Sequence, residues 1–207
     1  MKKLKILALL VVVLFIFATT FISTTLAKYV KEEKTTMFNL TIRADGKIDL
    51  ALTEGGTEAS GLWKDAEHNL SIIPGVTIPF NPYVRVGAGS EPAYLFIEIA
   101  KTGSGSYTFD ELITLAIDTG WKTSASLPPN VYYMEVDKNP AAQFFPIISG
   151  DTVTFMDTIT EADLGSFAAN GYPQISISAY AVQIANLDGV EGAKVKSPAD
   201  AWDYLRG

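Results

Sequence analysis

The residues of this chain that are equipped for chemistry are few, and their spacing argues against most kinds of it. The single histidine, His68, lies in Asp65-Ala66-Glu67-His68 with no second histidine at helical spacing, and cysteine is absent. A structural or catalytic zinc draws on several His, Cys or acidic ligands, so His68 reads as a surface residue. Gly103-Ser104-Gly105-Ser106 lacks the Gly-x-Ser-x-Gly spacing of a nucleophile elbow and reads as a loop between strands. Neither a P-loop nor a dinucleotide-binding glycine pattern occurs. Two carboxylates can cleave a glycosidic bond when the fold sets their separation, but 23 acidic residues single out no pair. Asp45-Gly46-Lys47-Ile48-Asp49 and Asp188-Gly189-Val190-Glu191 are acidic turns without the spacing of an EF-hand loop. The expectation is a protein that is not an enzyme, with no cofactor and no metal site.

Aromatic residues leave room for a binding role. Trp63, Trp121 and Trp202, with Tyr132-Tyr133 and Phe144-Phe145, are the material of a sugar-stacking platform. Adjacent aromatics on a strand point to opposite faces, however, so one of each pair is expected in the core. Asn39-Leu40-Thr41 and Asn69-Leu70-Ser71 match the glycosylation sequon, a pattern short enough to arise by chance.

These side chains must be positioned by something, and the first 27 residues are not part of it. Lys2, Lys3 and Lys5 precede the unbroken apolar run Ile6–Ala18, after which come small polar residues ending in Thr25-Leu26-Ala27. A basic start, a short apolar stretch and small residues at −3 and −1 describe an export signal. Thr25 and Ala27 take those two positions, which predicts cleavage before Lys28. Thirteen apolar residues fall short of the roughly 20 that cross a bilayer. The leader holds three of the 16 Lys and Arg residues and no acidic one, so 13 basic residues face 23 acidic ones afterwards, a net charge of −10. That balance excludes nucleic acid as a natural partner and confines contact with membrane to the time before cleavage.

Beyond the leader the period is mostly two. Phe38, Leu40 and Ile42 alternate with Asn39, Thr41 and Arg43, and Ile48–Thr53 repeats the pattern, with Asp45-Gly46 between them as a hairpin turn. Residues 54–60 read as a loop. Ile72–Phe80 is broken by Pro74-Gly75, Tyr83–Val86 alternates, and Gly87–Pro92 interrupts the chain before the strong strand Ala93–Ala100. Further strands are expected at Val131–Val136, Asp151–Thr160 and Gln174–Ala185. Thr108 with Glu111 three residues on announces a short helix, and Ser197-Pro198 with Asp200 announces a last one. Seven to nine short strands with little helix predict an all-β fold, a β-sandwich. The domain reading is residues 1–27 signal peptide, 28–44 an N-terminal segment and possible donor strand, and 45–207 the sandwich.

Several short patterns stand in order along this chain: Asp45-Gly46-Lys47-Ile48-Asp49-Leu50 soon after the leader, then Ile73-Pro74-Gly75, then Val84-Arg85-Val86 with Ala93-Tyr94-Leu95-Phe96-Ile97, and late Ile177-Ser178-Ala179-Tyr180-Ala181-Val182-Gln183. The ensemble resembles the TasA/camelysin-like secreted proteins of Gram-positive bacteria, which are exported with a signal read by a dedicated signal peptidase. The resemblance implies a jelly-roll sandwich, placement in the extracellular matrix or at the cell surface, and polymerisation into biofilm-matrix fibres. Its implied partners are further copies of itself, head to tail, and other matrix proteins. Camelysin-like relatives have been labelled metalloproteases, but His68 without a zinc-binding helix motif does not carry that activity here. Phe38, Leu40 and Ile42 are the residues expected to enter a neighbouring subunit, each worth about 1.5–3 kcal/mol if buried. The alternatives are a monomeric surface adhesin or carbohydrate-binding sandwich, and a pilin-like subunit that keeps its N-terminal helix.

Overall fold

In a computed structural model of the chain, residues 38–44, 48–63, 70–184 and 197–206 are described. The expected export signal, with Thr25, Ala27 and Lys28, lies outside them, as do His68 and the acidic turn at Asp188.

Strand is the main regular structure of the described residues. They form ten strands: β1 (Phe38–Ala44), β2 (Leu50–Glu54), β3 (Thr77–Pro79), β4 (Pro82–Val86), β5 (Ala93–Thr102), β6 (Ile113–Thr114), β7 (Val131–Val136), β8 (Gln143–Pro146), β9 (Thr152–Phe155) and β10 (Gln174–Gln183). Three short helices accompany them: α1 (Phe109–Leu112), α2 (Glu161–Asn170) and α3 (Pro198–Arg206). The strands build three sheets, ordered β1-β10-β5-β7, β2-β4-β8 and β3-β9-β6. Every pairing among them is antiparallel except β1 with β10, which is parallel. The all-β expectation holds.

Alternation explains where the core sits. Leu95, Ile97 and Ile99 on β5 and Ile175, Ile177 and Ala179 on β10 share one buried cluster with Leu52, Val84 and Val86 of the second sheet and Ile113, Val153 and Phe155 of the third. The four-stranded sheet is covered on its other face too. There Tyr94, Phe96 and Val182 pack with Leu127, Val131 and, from α3, Ala201, Trp202 and Leu205. Burial on both faces is why Ala93–Ile97 is an unbroken apolar run rather than an alternating one.

Turn chemistry falls where the punctuation put it. Gly75 takes φ +72, the left-handed value that the Pro74-Gly75 turn needs. At α1 the Thr108 N–H donates to Glu111 Oε2 at 2.7 Å, the reciprocal half of a capping box. Elsewhere the strand reading is corrected. The strand expected over Asp151–Thr160 ends at Phe155, because Thr160 and Asp163 cap α2 and Met156–Ile159 must turn into it. β6, β8 and α2 were not expected. β8 (QFFP) has no alternation to announce it, since all four of its residues are half-buried.

Candidate functional site

The expected interaction residues Phe38, Leu40 and Ile42 lie on β1, and β1 lies at the end of the four-stranded sheet. It does not form the expected hairpin with β2. β2 pairs with β4, while β1 runs parallel to β10 in the register Phe38↔Ile175, Leu40↔Ile177, Ile42↔Ala179 and Ala44↔Ala181. The apolar positions of β1 are thus level with Ile175, Ile177, Ala179 and Ala181 of β10, each buried to within about a hundredth of its surface. Asn39, Thr41 and Arg43 are level with Ser176, Ser178 and Tyr180, which are half-buried. A slip of one residue would place the polar set beside the core face, so the alternation specifies this register.

β10 itself is firmly placed. On its far side it pairs with β5 over ten residues, Gln174↔Thr102 to Gln183↔Ala93. On its outer face the Tyr180 hydroxyl donates to Glu98 Oε2 at 3.1 Å, and Arg206 Nη2 donates to the same oxygen at 2.7 Å. The Trp202 ring meets Tyr180 edge-on at 5.4 Å and Phe96 at 5.3 Å, and the Arg206 guanidinium lies 4.7 Å from the Trp202 centroid. Burial raises the Tyr180 phenol above its ordinary pKa, and the Glu98 charge adds to this. The last helix therefore braces the strand that carries β1.

Among the described residues, those singled out for chemistry do not converge. Ser104 is buried in a tight turn with its hydroxyl donating to the Gly171 carbonyl. Asp49 pairs with Arg85. Among the described residues no three His, Cys, Asp or Glu side chains group as metal ligands. The aromatic platform is not assembled either. Trp121 is buried with its Nε1–H donating to the Pro146 carbonyl at 2.7 Å, Trp202 is buried between α3 and the four-stranded sheet, and Trp63 is half-buried edge-on to Phe80. Tyr132 packs on the main core and its neighbour Tyr133 on the second cluster, as strand geometry requires. An open groove of about 470 Å³ beside Ile99, Lys101, Asn130 and Tyr132 offers one cation, but Lys101 Nζ is already 2.7 Å from Asp110.

Compared with protein-family models, curated proteins and solved structures, the chain matches none.

Sequence reasoning found the strand but not its partner. A parallel neighbour more than 130 positions away leaves no local mark, whereas Asp45-Gly46 is a local mark and pointed to the wrong strand. The one trace of the true pairing is that both β1 and β10 carry apolar residues at every second position.

Proposed function

We propose that this chain is a secreted structural subunit, a jelly-roll sandwich of the TasA/camelysin-like kind, that polymerises into surface or biofilm-matrix fibres by passing its first strand to the next copy. The observation that carries the reading is the place of β1: an edge strand, parallel, contributed by the start of the chain and laid on the final strand of the sheet. A strand that closes its own sheet edge in one copy can close the same edge in another through the same backbone bonds. Vacating the edge exposes the row on β10 that another copy's β1 fits in the same register. Because donor and acceptor surfaces differ, the exchange is head-to-tail and need not close, which gives a filament rather than a dimer.

The charge pattern supports assembly after export. With the leader removed, 13 basic against 23 acidic residues keep single copies apart in dilute solution, so contact has to come from backbone pairing and apolar burial.

The test is deletion of Lys28–Arg43. The shortened chain is expected to fold, by circular dichroism and thermal melting, and to stay monomeric by size exclusion and electron microscopy. In the full chain, Leu40→Asp is expected to weaken assembly more than Asn39→Asp, because Leu40 is level with buried Ile177 and Asn39 with half-buried Ser176. Unchanged fibres from the deleted chain would defeat the proposal.

A further inference from the structure

Where β1 ends, the chain is caught almost at once. Asp49 has both backbone groups engaged by the turn between β4 and β5. Its N–H donates to Ser90 Oγ at 3.2 Å, and its carbonyl accepts from the Gly87 N–H at 2.7 Å. Ser90 is 6% exposed, and Ile48, one residue earlier, is part of the main core. Gly87 admits this approach because it has no side chain: a Cβ there would stand 2.7 Å from Asp49 Cβ, well inside the 3.5–4.0 Å at which carbon atoms attract. Outside, Arg85 Nη1 donates to Asp49 Oδ2 at 2.9 Å, an exposed pair that adds little by itself. The ladder of β2 with β4 begins one residue later, at Leu50↔Val86.

The turn that holds Asp49 also joins two sheets. β4 belongs to the three-stranded sheet β2-β4-β8, and β5 lies next to β10 in the four-stranded one. A chain fixed to residues 87–90 is therefore fixed to the body that carries the acceptor edge.

We infer that Ile48-Asp49, clasped by Gly87 and Ser90, is the pivot about which β1 moves, so that the exchangeable segment ends at residue 47. This rests on the strand-exchange reading and adds its geometry. Four peptide steps separate Ala44 from Ile48, a reach of at most about 14 Å at 3.3–3.6 Å per residue. A donated β1, with Ala44 level with Ala181 of the neighbour, holds the two bodies within that distance. The pivot makes the joint between subunits short.

Hydrogen exchange read by mass spectrometry on the full chain tests this. The expected result is a step at the pivot, with residues 38–44 exchanging at least about tenfold faster than 49–54 in the monomer. Equal exchange across 38–54 overturns the pivot, since β1 and β2 then open as one unit. Gly87→Val is expected to erase the step by speeding 49–54, while 93–102 and 174–183 stay slow. If that variant does not fold, Ser90→Ala is expected to do the same more weakly, by about five- to tenfold, as befits one lost hydrogen bond. A step that survives Ser90→Ala and Gly87→Val alike overturns the clasp as its cause. The exchange reading fails separately, if residues 38–44 gain no protection in assembled material. The monomer step would still support the pivot.

Discussion

Thr160, Asp163 and Tyr107 show how one carboxylate is used here. Asp163 Oδ2 accepts from the Thr160 N–H at 2.8 Å and from its hydroxyl at 2.6 Å, and Oδ1 accepts from the Tyr107 hydroxyl at 2.8 Å. The Thr160 hydroxyl, its backbone N–H and then the Tyr107 hydroxyl hold the Asp163 carboxyl below the usual carboxylate range. The same bond to Asp163 pushes the Tyr107 phenol up. A carboxyl whose pKa is depressed by folding stabilises the fold above its unfolded pKa and loses that contribution as pH falls through the folded value. Asp163→Asn is thus expected to lower stability at neutral pH, with the gap to the parent closing as the solution is acidified below about pH 4. Urea midpoints from pH 7 to pH 2 measure it, and a gap that stays constant means that the ionised cap contributes nothing. The cap at Thr108-Glu111 was legible because a loop precedes it. The cap at Thr160-Asp163 was hidden, because Thr154, Thr158 and Thr160 carry on the polar side of a strand pattern past its real end.

At the scale of elements, legibility followed period. β4, β5, β7 and β10 were each found within two residues, since β-branched and aromatic runs bounded by Gly and Pro have few other structures open to them. β6 and β8 are too short or too evenly half-buried to show a period. The last helix was legible from its first turn, but its purpose was not. Its Trp202 fills the outer face of the four-stranded sheet between Tyr180 and Phe96, the latter more than 100 positions away in the chain. Trp202→Ala is expected to cost about 3–5 kcal/mol, the usual loss for emptying a buried aromatic site, measured by denaturant unfolding. Arg206→Met keeps the apolar stem but removes both the half-exposed pair with Glu98 and the guanidinium from over the Trp202 ring, so about 1–2 kcal/mol or less is expected. Equal losses from the two would mean that the Arg206 contacts, not the burial of the ring, hold the helix.

At the scale of the molecule, a parallel edge strand drawn from the start of the chain is a topological choice with consequences. Most of the fold is antiparallel and its core is shared by all three sheets, whereas β1 meets the sheet along one edge. Local sequence has no means of recording which edge that is, because the information lies in the match between two alternating strands far apart in the chain. If that match is the joint between copies, it should work for a detached strand as well. A synthetic peptide of residues 36–47 carries the alternation and the segment up to the pivot. Added in excess to the full chain, it is expected to occupy vacated β10 edges and stop fibre growth, and to bind the chain lacking Lys28–Arg43 with no loss of fold. The same peptide with Leu40→Asp puts a charge level with Ile177, where burial of an unpaired carboxylate is costly, and is expected to leave growth unchanged. Growth rates by light scattering and peptide binding by fluorescence anisotropy read both arms. Inhibition by the two peptides alike would point to charge or crowding rather than register. Inhibition by neither, with fibres still forming, would place the joint elsewhere on the molecule and leave β1 as an ordinary edge strand of its own sheet.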